Sequence, residues 1–147
     1  MCARLNSILC FVLLSCLAAE RVMPSAKPPH IPPALYTQEQ AVAGDSAYQL
    51  HCASCHGPSL DGQKGGYPAP ALRGREFGDP EVGLKVSDVF RVIGKRMPAS
   101  APGSLAPQSQ VEILAFLLNE NGFPPGTIKL TYQMASISPV PFVFYSR

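Results

Sequence analysis

The 147-residue sequence predicts a small all-α domain of three main helices, with a long Gly- and Pro-rich loop between the first two. Three observations carry this. Thr37-Gln38-Glu39-Gln40 has the form of a capping box, in which the Thr side chain bonds forward and Gln40 reaches back. Val111, Leu114, Ala115 and Leu118 recur at helical spacing between Pro107 and Gly122. The one alternating stretch, within Leu130–Arg147, has no second strand to pair with, and a lone strand makes no sheet.

Residues 1–19 read as an export signal. Arg4 gives the positive start, Ile8–Leu14 is a nearly unbroken apolar run, and the small residues Ala18 and Ala19 follow. A bilayer span needs about 20 apolar residues, more than this run supplies. Leu13-Leu14-Ser15-Cys16 loosely resembles a lipoprotein signal, in which Cys16 would be acylated; cleavage near Ala19 is the default. Residues 20–36 form a linker, with five Pro between Arg21 and Pro33 that fix φ and remove backbone donors.

The domain spans residues 37–125. Its first helix runs from Thr37 to the Cys pair through Ala41, Val42, Ala47, Tyr48 and Leu50. Gly44 within it costs about 1 kcal/mol relative to Ala, which close approach of another helix would offset. Gly57–Gly83 is the long loop, with short helical turns near Leu72–Phe77. Such a loop is uncommon in a small domain unless it wraps a bound group. Ser87 is the expected cap of a second helix, Ser87–Ile93, with Asp88 in its first turn and Val89, Phe90, Val92 and Ile93 as its apolar residues. The third helix is Pro107–Asn121, begun by Pro at the first position and stopped by Gly122. Residues 126–147 are expected to be a tail.

Composition narrows the function. Lys and Arg total 12 against 10 Asp and Glu, without a basic run, which argues against nucleic acid as a partner. There is no Trp, so a large flat core surface has to come from Phe, Tyr or a cofactor. Of five Cys, only Cys52 and Cys55 lie beyond the leader.

Those two belong to Cys52-Ala53-Ser54-Cys55-His56, the C-x-x-C-H attachment signature for c-type haem. Two thiols separated by two residues at a helix end match two vinyl groups on one porphyrin edge. His56, next in sequence, then lies under the iron as an axial ligand. A thioredoxin-like pair wants a βαβ context, and a structural zinc site wants two ligand pairs separated in sequence; both fit these residues less well. His51 reads as a helix surface residue and His30 as a solvated linker residue.

Met97 is the expected second axial ligand. It follows the second helix, and Pro98 stiffens the segment that presents its sulfur. The charged Lys95-Arg96 pair before it makes simple core filling a poorer reading. Met134 is the reserve, and Met23 lies in the linker. A thioether ligand favours reduced iron and raises the reduction potential.

Over about Thr37–Pro125 the chain resembles the class I cytochrome c family. The residues that carry this are Gly44 and Tyr48, Cys52-Ala53-Ser54-Cys55-His56-Gly57, Pro70-Ala71-Leu72-Arg73-Gly74, Val86-Ser87-Asp88-Val89-Phe90, Arg96-Met97-Pro98-Ala99 and the closing helix. The resemblance implies that the first and last helices cross at Gly44, against Phe116 or Leu117. It implies that the Pro70 carbonyl receives the far nitrogen of His56, and that Leu72, Phe77, Phe90 and Ile93 line the haem. Met97-Pro98, Ala101–Leu105 and Phe116–Pro124 are similar to cytochromes associated with quinoprotein alcohol dehydrogenases.

The function expected is that of a periplasmic carrier with one haem c, cycling between Fe(III) and Fe(II) with His/Met ligation. Its partners would be a dehydrogenase, such as a quinoprotein enzyme, and a respiratory acceptor such as a terminal oxidase. Membrane attachment is expected only through Cys16. Lys64, Lys95 and Arg96 would ring the docking edge or form an ordinary solvated face. Two other readings are a tightly bound cytochrome subunit of a dehydrogenase complex and a haem-based sensor with an open iron position.

Overall fold

In the computed structural model, which describes residues 32–62 and 69–146, Thr37 opens helix α1, Gln38–His51, with Gln40 making the backward half of the capping box that the sequence predicts. The Thr37 N–H donates to Gln40 Oε1 at 3.2 Å. The leader, Cys16, His30 and Lys64 lie outside the described residues. Four further helices follow: α2, Ala53–His56; α3, Val86–Arg96; α4, Pro107–Glu120; and α5, Tyr132–Ile137. Among the described residues the only β pairing is an isolated antiparallel bridge between Lys85 and Pro141.

Helices α1 and α4 form the main pair and the frame of the domain. Gly44 is the reason they can come so close. A Cβ added there would run into the Glu112 carbonyl and lie 2.9 Å from the Cβ of Phe116. One turn further along α1, the Tyr48 ring meets Phe116 with centroids 5.2 Å apart. Helix α4 buries Val111 and every residue from Ile113 to Leu118, so its middle is enclosed from several sides. It ends in a Schellman motif. Phe123 N–H bonds the Leu118 carbonyl at 3.0 Å and Gly122 N–H bonds that of Asn119 at 3.1 Å, with Gly122 at φ 86°.

Helix α3 starts earlier and ends later than the sequence reading places it. Its cap is Lys85 rather than Ser87, because the Asp88 carboxylate reaches back three residues to accept from the Lys85 N–H at 3.0 Å. Val86, Val89, Phe90 and Ile93 are its buried stripe, at the i, i+3, i+4, i+7 spacing of one helix face. Near Leu72–Phe77 the chain makes one hydrogen-bonded turn, Gly78 N–H to Gly74 carbonyl at 2.9 Å, and no helix.

The segment after Gly126 is the clearest departure, since it is no loose tail. Gln40 grips it first, donating from Nε2 to the Leu130 carbonyl and accepting from the Leu130 N–H, both at 2.8 Å. Helix α5 then packs on α3 and α4. Beyond it the chain crosses the loop ends in extended form, with Phe142 N–H on the Leu84 carbonyl at 2.8 Å, Phe144 N–H on that of Gly78 at 3.0 Å, and Tyr145 N–H on that of Asn121 at 2.9 Å. Phe142 is fully buried, its ring centroid 5.0 Å from Phe77 and 5.8 Å from Phe123. With no Trp in the chain, this aromatic group supplies core that the three main helices lack.

Two predictions follow from the packing. Gly44→Ala forces α1 off α4 and should cost about 1–3 kcal/mol in denaturant unfolding; an unchanged midpoint would contradict the close crossing. Phe142→Ala should cost about 3–5 kcal/mol in the same measurement, as for any large core aromatic. A loss below about 0.5 kcal/mol, usual for surface positions, would make the segment a surface appendage after all.

Candidate functional site

Helix α1 breaks at Cys52, whose φ of −126° and ψ of −36° leave the helical region, and the chain restarts as the single turn α2. The Cys52 carbonyl accepts from Cys55 N–H at 3.1 Å and from His56 N–H at 2.9 Å. Residues i, i+3 and i+4 of one helical turn share a face, so the two thiols and the imidazole are presented together. Gly57, at φ 81°, turns the chain out of α2, and Gly62 N–H returns to the His56 carbonyl at 2.8 Å.

The three side chains differ in exposure. Cys55 is exposed and Cys52 half-buried; both are free thiols. Burial, and then the neighbouring Cys55, push the Cys52 thiol up to about 11, so at neutral pH it keeps its proton. His56 is buried. Its Nδ1 lies 2.8 Å from the Pro70 carbonyl, and because a carbonyl only accepts, Nδ1 carries the proton. Nε2 is thereby left with its lone pair free to ligate.

Tyr48 anchors the turn from behind. Its hydroxyl donates to the Gly57 carbonyl at 2.7 Å. Burial, with the neighbouring Cys52 and Asp61 adding to it, raises the phenol well above its ordinary value, so it stays a donor. Leu60 is buried at φ 59°, a left-handed conformation rare for leucine, and its carbonyl accepts from Leu72 N–H at 2.8 Å. The loop after α2 is thus stitched to the Pro70–Gly74 segment.

Of the residues singled out from sequence, the structure joins His56 and Pro70 directly and brings Leu72 onto the same loop. Leu72 and Phe77 are partly buried against the edge of the core. Phe90 and Met97 lie on another element. Met97 follows the last residue of α3, half-buried and with extended backbone. The Phe90 ring is engaged edge-on by Tyr132 of α5, centroids 4.9 Å apart, a neighbour that the resemblance does not anticipate. Met134 sits on α5 and is 40% exposed, which makes it the weaker ligand candidate. Lys95 and Arg96 are exposed. Sequence reading missed Leu60 and Asn121. Leu60 offers no local signal, and Asn121 before Gly122 reads only as a helix end.

The donor set fits haem c: two unpaired thiols and an imidazole on one turn, the imidazole already oriented through its far nitrogen. Among the described residues no group of three or more His, Cys, Asp or Glu side chains is placed to hold a metal ion by itself, as a zinc site would need.

Comparisons with known proteins agree. The family model described as "Cytochrome C oxidase, cbb3-type, subunit III" matches residues 39–117, more than half of the chain. Among solved structures, the fold is similar to a chain of the sulfane dehydrogenase SoxCD from Paracoccus pantotrophus, with a TM-score of 0.54 and 23% identity, covering 83% of this chain and 68% of that one. No curated protein sequence matches. The chain belongs to the cytochrome c family described as "Cytochrome C oxidase, cbb3-type, subunit III", and is a monohaem c-type cytochrome that transfers electrons through covalently bound haem c.

Proposed function

We propose that this cytochrome is an exported carrier whose iron is held between His56 and Met97, taking electrons from a dehydrogenase and passing them to a respiratory acceptor. The observation that carries this reading is the His56 Nδ1–Pro70 contact at 2.8 Å, which fixes the ring and leaves Nε2 for the iron. Bound haem supplies a one-electron Fe(III)/Fe(II) couple. The protein's residues do the rest. Cys52 and Cys55 would hold the haem covalently, as thioethers to its two vinyl groups. Tyr48 and Gly57 hold the turn that presents them. Pro70 makes His56 a more basic ligand through its carbonyl. Met97 would supply the second ligand, a thioether that would keep small molecules off the iron and favour the reduced state.

The export signal in residues 1–19 supports a periplasmic location, and Cys16 would provide a membrane anchor if acylated. A second reading, a subunit in a permanent complex, draws on the family description, which names a subunit of an oxidase. The SoxCD likeness speaks only to fold.

Met97→Ala tests the ligation. The oxidised protein should lose its near-infrared sulfur-to-iron band, its potential should fall, and the reduced protein should begin to bind carbon monoxide. A variant unchanged in all three would sink Met97 as the ligand in favour of Met134, whereas an unaltered protein that already lacks the band and binds carbon monoxide would revive the sensor with an open iron position. Osmotic-shock extracts from the native host, separated at high salt, test the setting. A free carrier elutes as a monomer of the shock fluid, because weak docking through exposed charges is screened by salt. Retention in the cell pellet would contradict the soluble periplasmic carrier, and elution with a large redox enzyme would replace the shuttle with the subunit.

A further inference from the structure

Pro70 has no backbone N–H, is itself exposed, and needs something else to aim its carbonyl at His56. On its C-terminal side the Leu72 N–H goes to the Leu60 carbonyl at 2.8 Å, while the Leu72 carbonyl and the Gly74 N–H converge on one side chain. Asn121, at the C-cap of α4, is fully buried. Its Nδ2 donates to the Leu72 carbonyl at 2.9 Å and to the Leu117 carbonyl at 2.8 Å, while its Oδ1 accepts from the Gly74 N–H at 3.2 Å. Its own carbonyl accepts from the Tyr145 N–H at 2.9 Å. A primary amide can donate and accept side by side, and here it grips the backbone on both sides of residue 73 as a neighbouring strand would. A plain hydrophobe could fill the same space but would leave the Leu72 carbonyl and the Gly74 N–H without these partners.

We infer that Asn121 is the positioning residue for the haem histidine: its amide clamps Leu72 and Gly74, and so holds the Pro70 carbonyl against His56 Nδ1. The chain of contacts is short. Asn121 fixes Leu72, Leu72 lies two residues from Pro70, and Pro70 touches the imidazole. Helix α4 also packs against α1, the helix that leads into the Cys52–His56 turn. One rigid frame therefore carries both the histidine and the clamp that orients it. The inference rests on the reading of His56 as an axial ligand.

The test compares holoproteins: unaltered, Asn121→Leu, Asn121→Ser, and Leu130→Ala as a control that loses a buried side chain on a different part of the C-terminal segment. Two readouts are used, the ratio of reduced to oxidised protein at a fixed ambient potential and the exchange rate of the His56 Nδ1 proton by NMR. A loosened Pro70 carbonyl makes His56 a poorer electron donor, so oxidised iron is less stabilised. The reduced-to-oxidised ratio should rise about threefold or more in the Asn121 variants, with faster proton exchange, and stay put in Leu130→Ala. Asn121 variants that match the control in both readouts overturn the inference. Should neither Asn121 variant retain haem, the unaltered protein decides. Gly74 N–H and His56 Nδ1–H should show a common opening equilibrium once each rate is divided by that group's intrinsic exchange rate, as parts of one opening unit; Gly74 opening about a hundredfold more readily would overturn the clamp. A high-spin spectrum in the unaltered protein would refute His56/Met97 ligation first, and would be seen before any variant is compared.

Discussion

A single hydrogen bond, from the Nδ1–H of His56 to the carbonyl of Pro70, sets the terms for the rest of this structure. Its net energy is modest, on the order of 1 kcal/mol. Its value lies in direction, because it decides which imidazole nitrogen faces the iron and how basic that nitrogen is. The two partners are fourteen residues apart on either side of a Gly- and Pro-rich loop. Neither end is held by a regular element, apart from the single turn of α2. The domain therefore has to bring fixed points to both ends. Tyr48 and the Gly62 amide serve the histidine turn, and Leu60 and Asn121 serve the proline segment.

Those fixed points work only because α1 and α4 lock together at Gly44. The crossing puts the haem-attachment turn at the end of one helix and leaves the Asn121 cap at the end of the other. The C-terminal segment completes the arrangement by laying an extended chain across Leu84, Gly78 and Asn121 and filling the gap between them with Phe142. A short domain buries a smaller share of its surface than a long one and has little apolar area to spare. The aromatic group of Phe77, Phe123, Phe142 and Tyr145 is substantial core for a chain of this size.

Much of this was legible in sequence, for a physical reason. Caps, a Pro at a helix start, a Gly at a helix end and the C-x-x-C-H turn all act within one or two turns of chain, so their signals sit next to their effects. The α4 limits and the α1 capping box show as much. Gly44 was legible at one remove, since a glycine in a helix asks for a close neighbour. What escaped depends on distant partners. Gln40 reads as half of a capping box, yet it also holds Leu130, 90 residues away. Asn121 meets Leu72 across 49 residues. Residues 126–146 show only partial alternation, because each burial there answers to a different loop. The cap of α3 was missed for a local reason: Asp88 reaches back to Lys85, past the more obvious Ser87.

The central claim is that both thiols of one helical turn carry the porphyrin. The most direct check is an alkaline pyridine spectrum of protein matured in a host that attaches haem, after denaturation and washing in acid acetone. Colour should stay with the polypeptide, and the reduced α band should fall where porphyrins with both vinyl groups consumed absorb. Colourless protein would contradict the account, and a band displaced to the red would mean that only one of Cys52 and Cys55 is bonded.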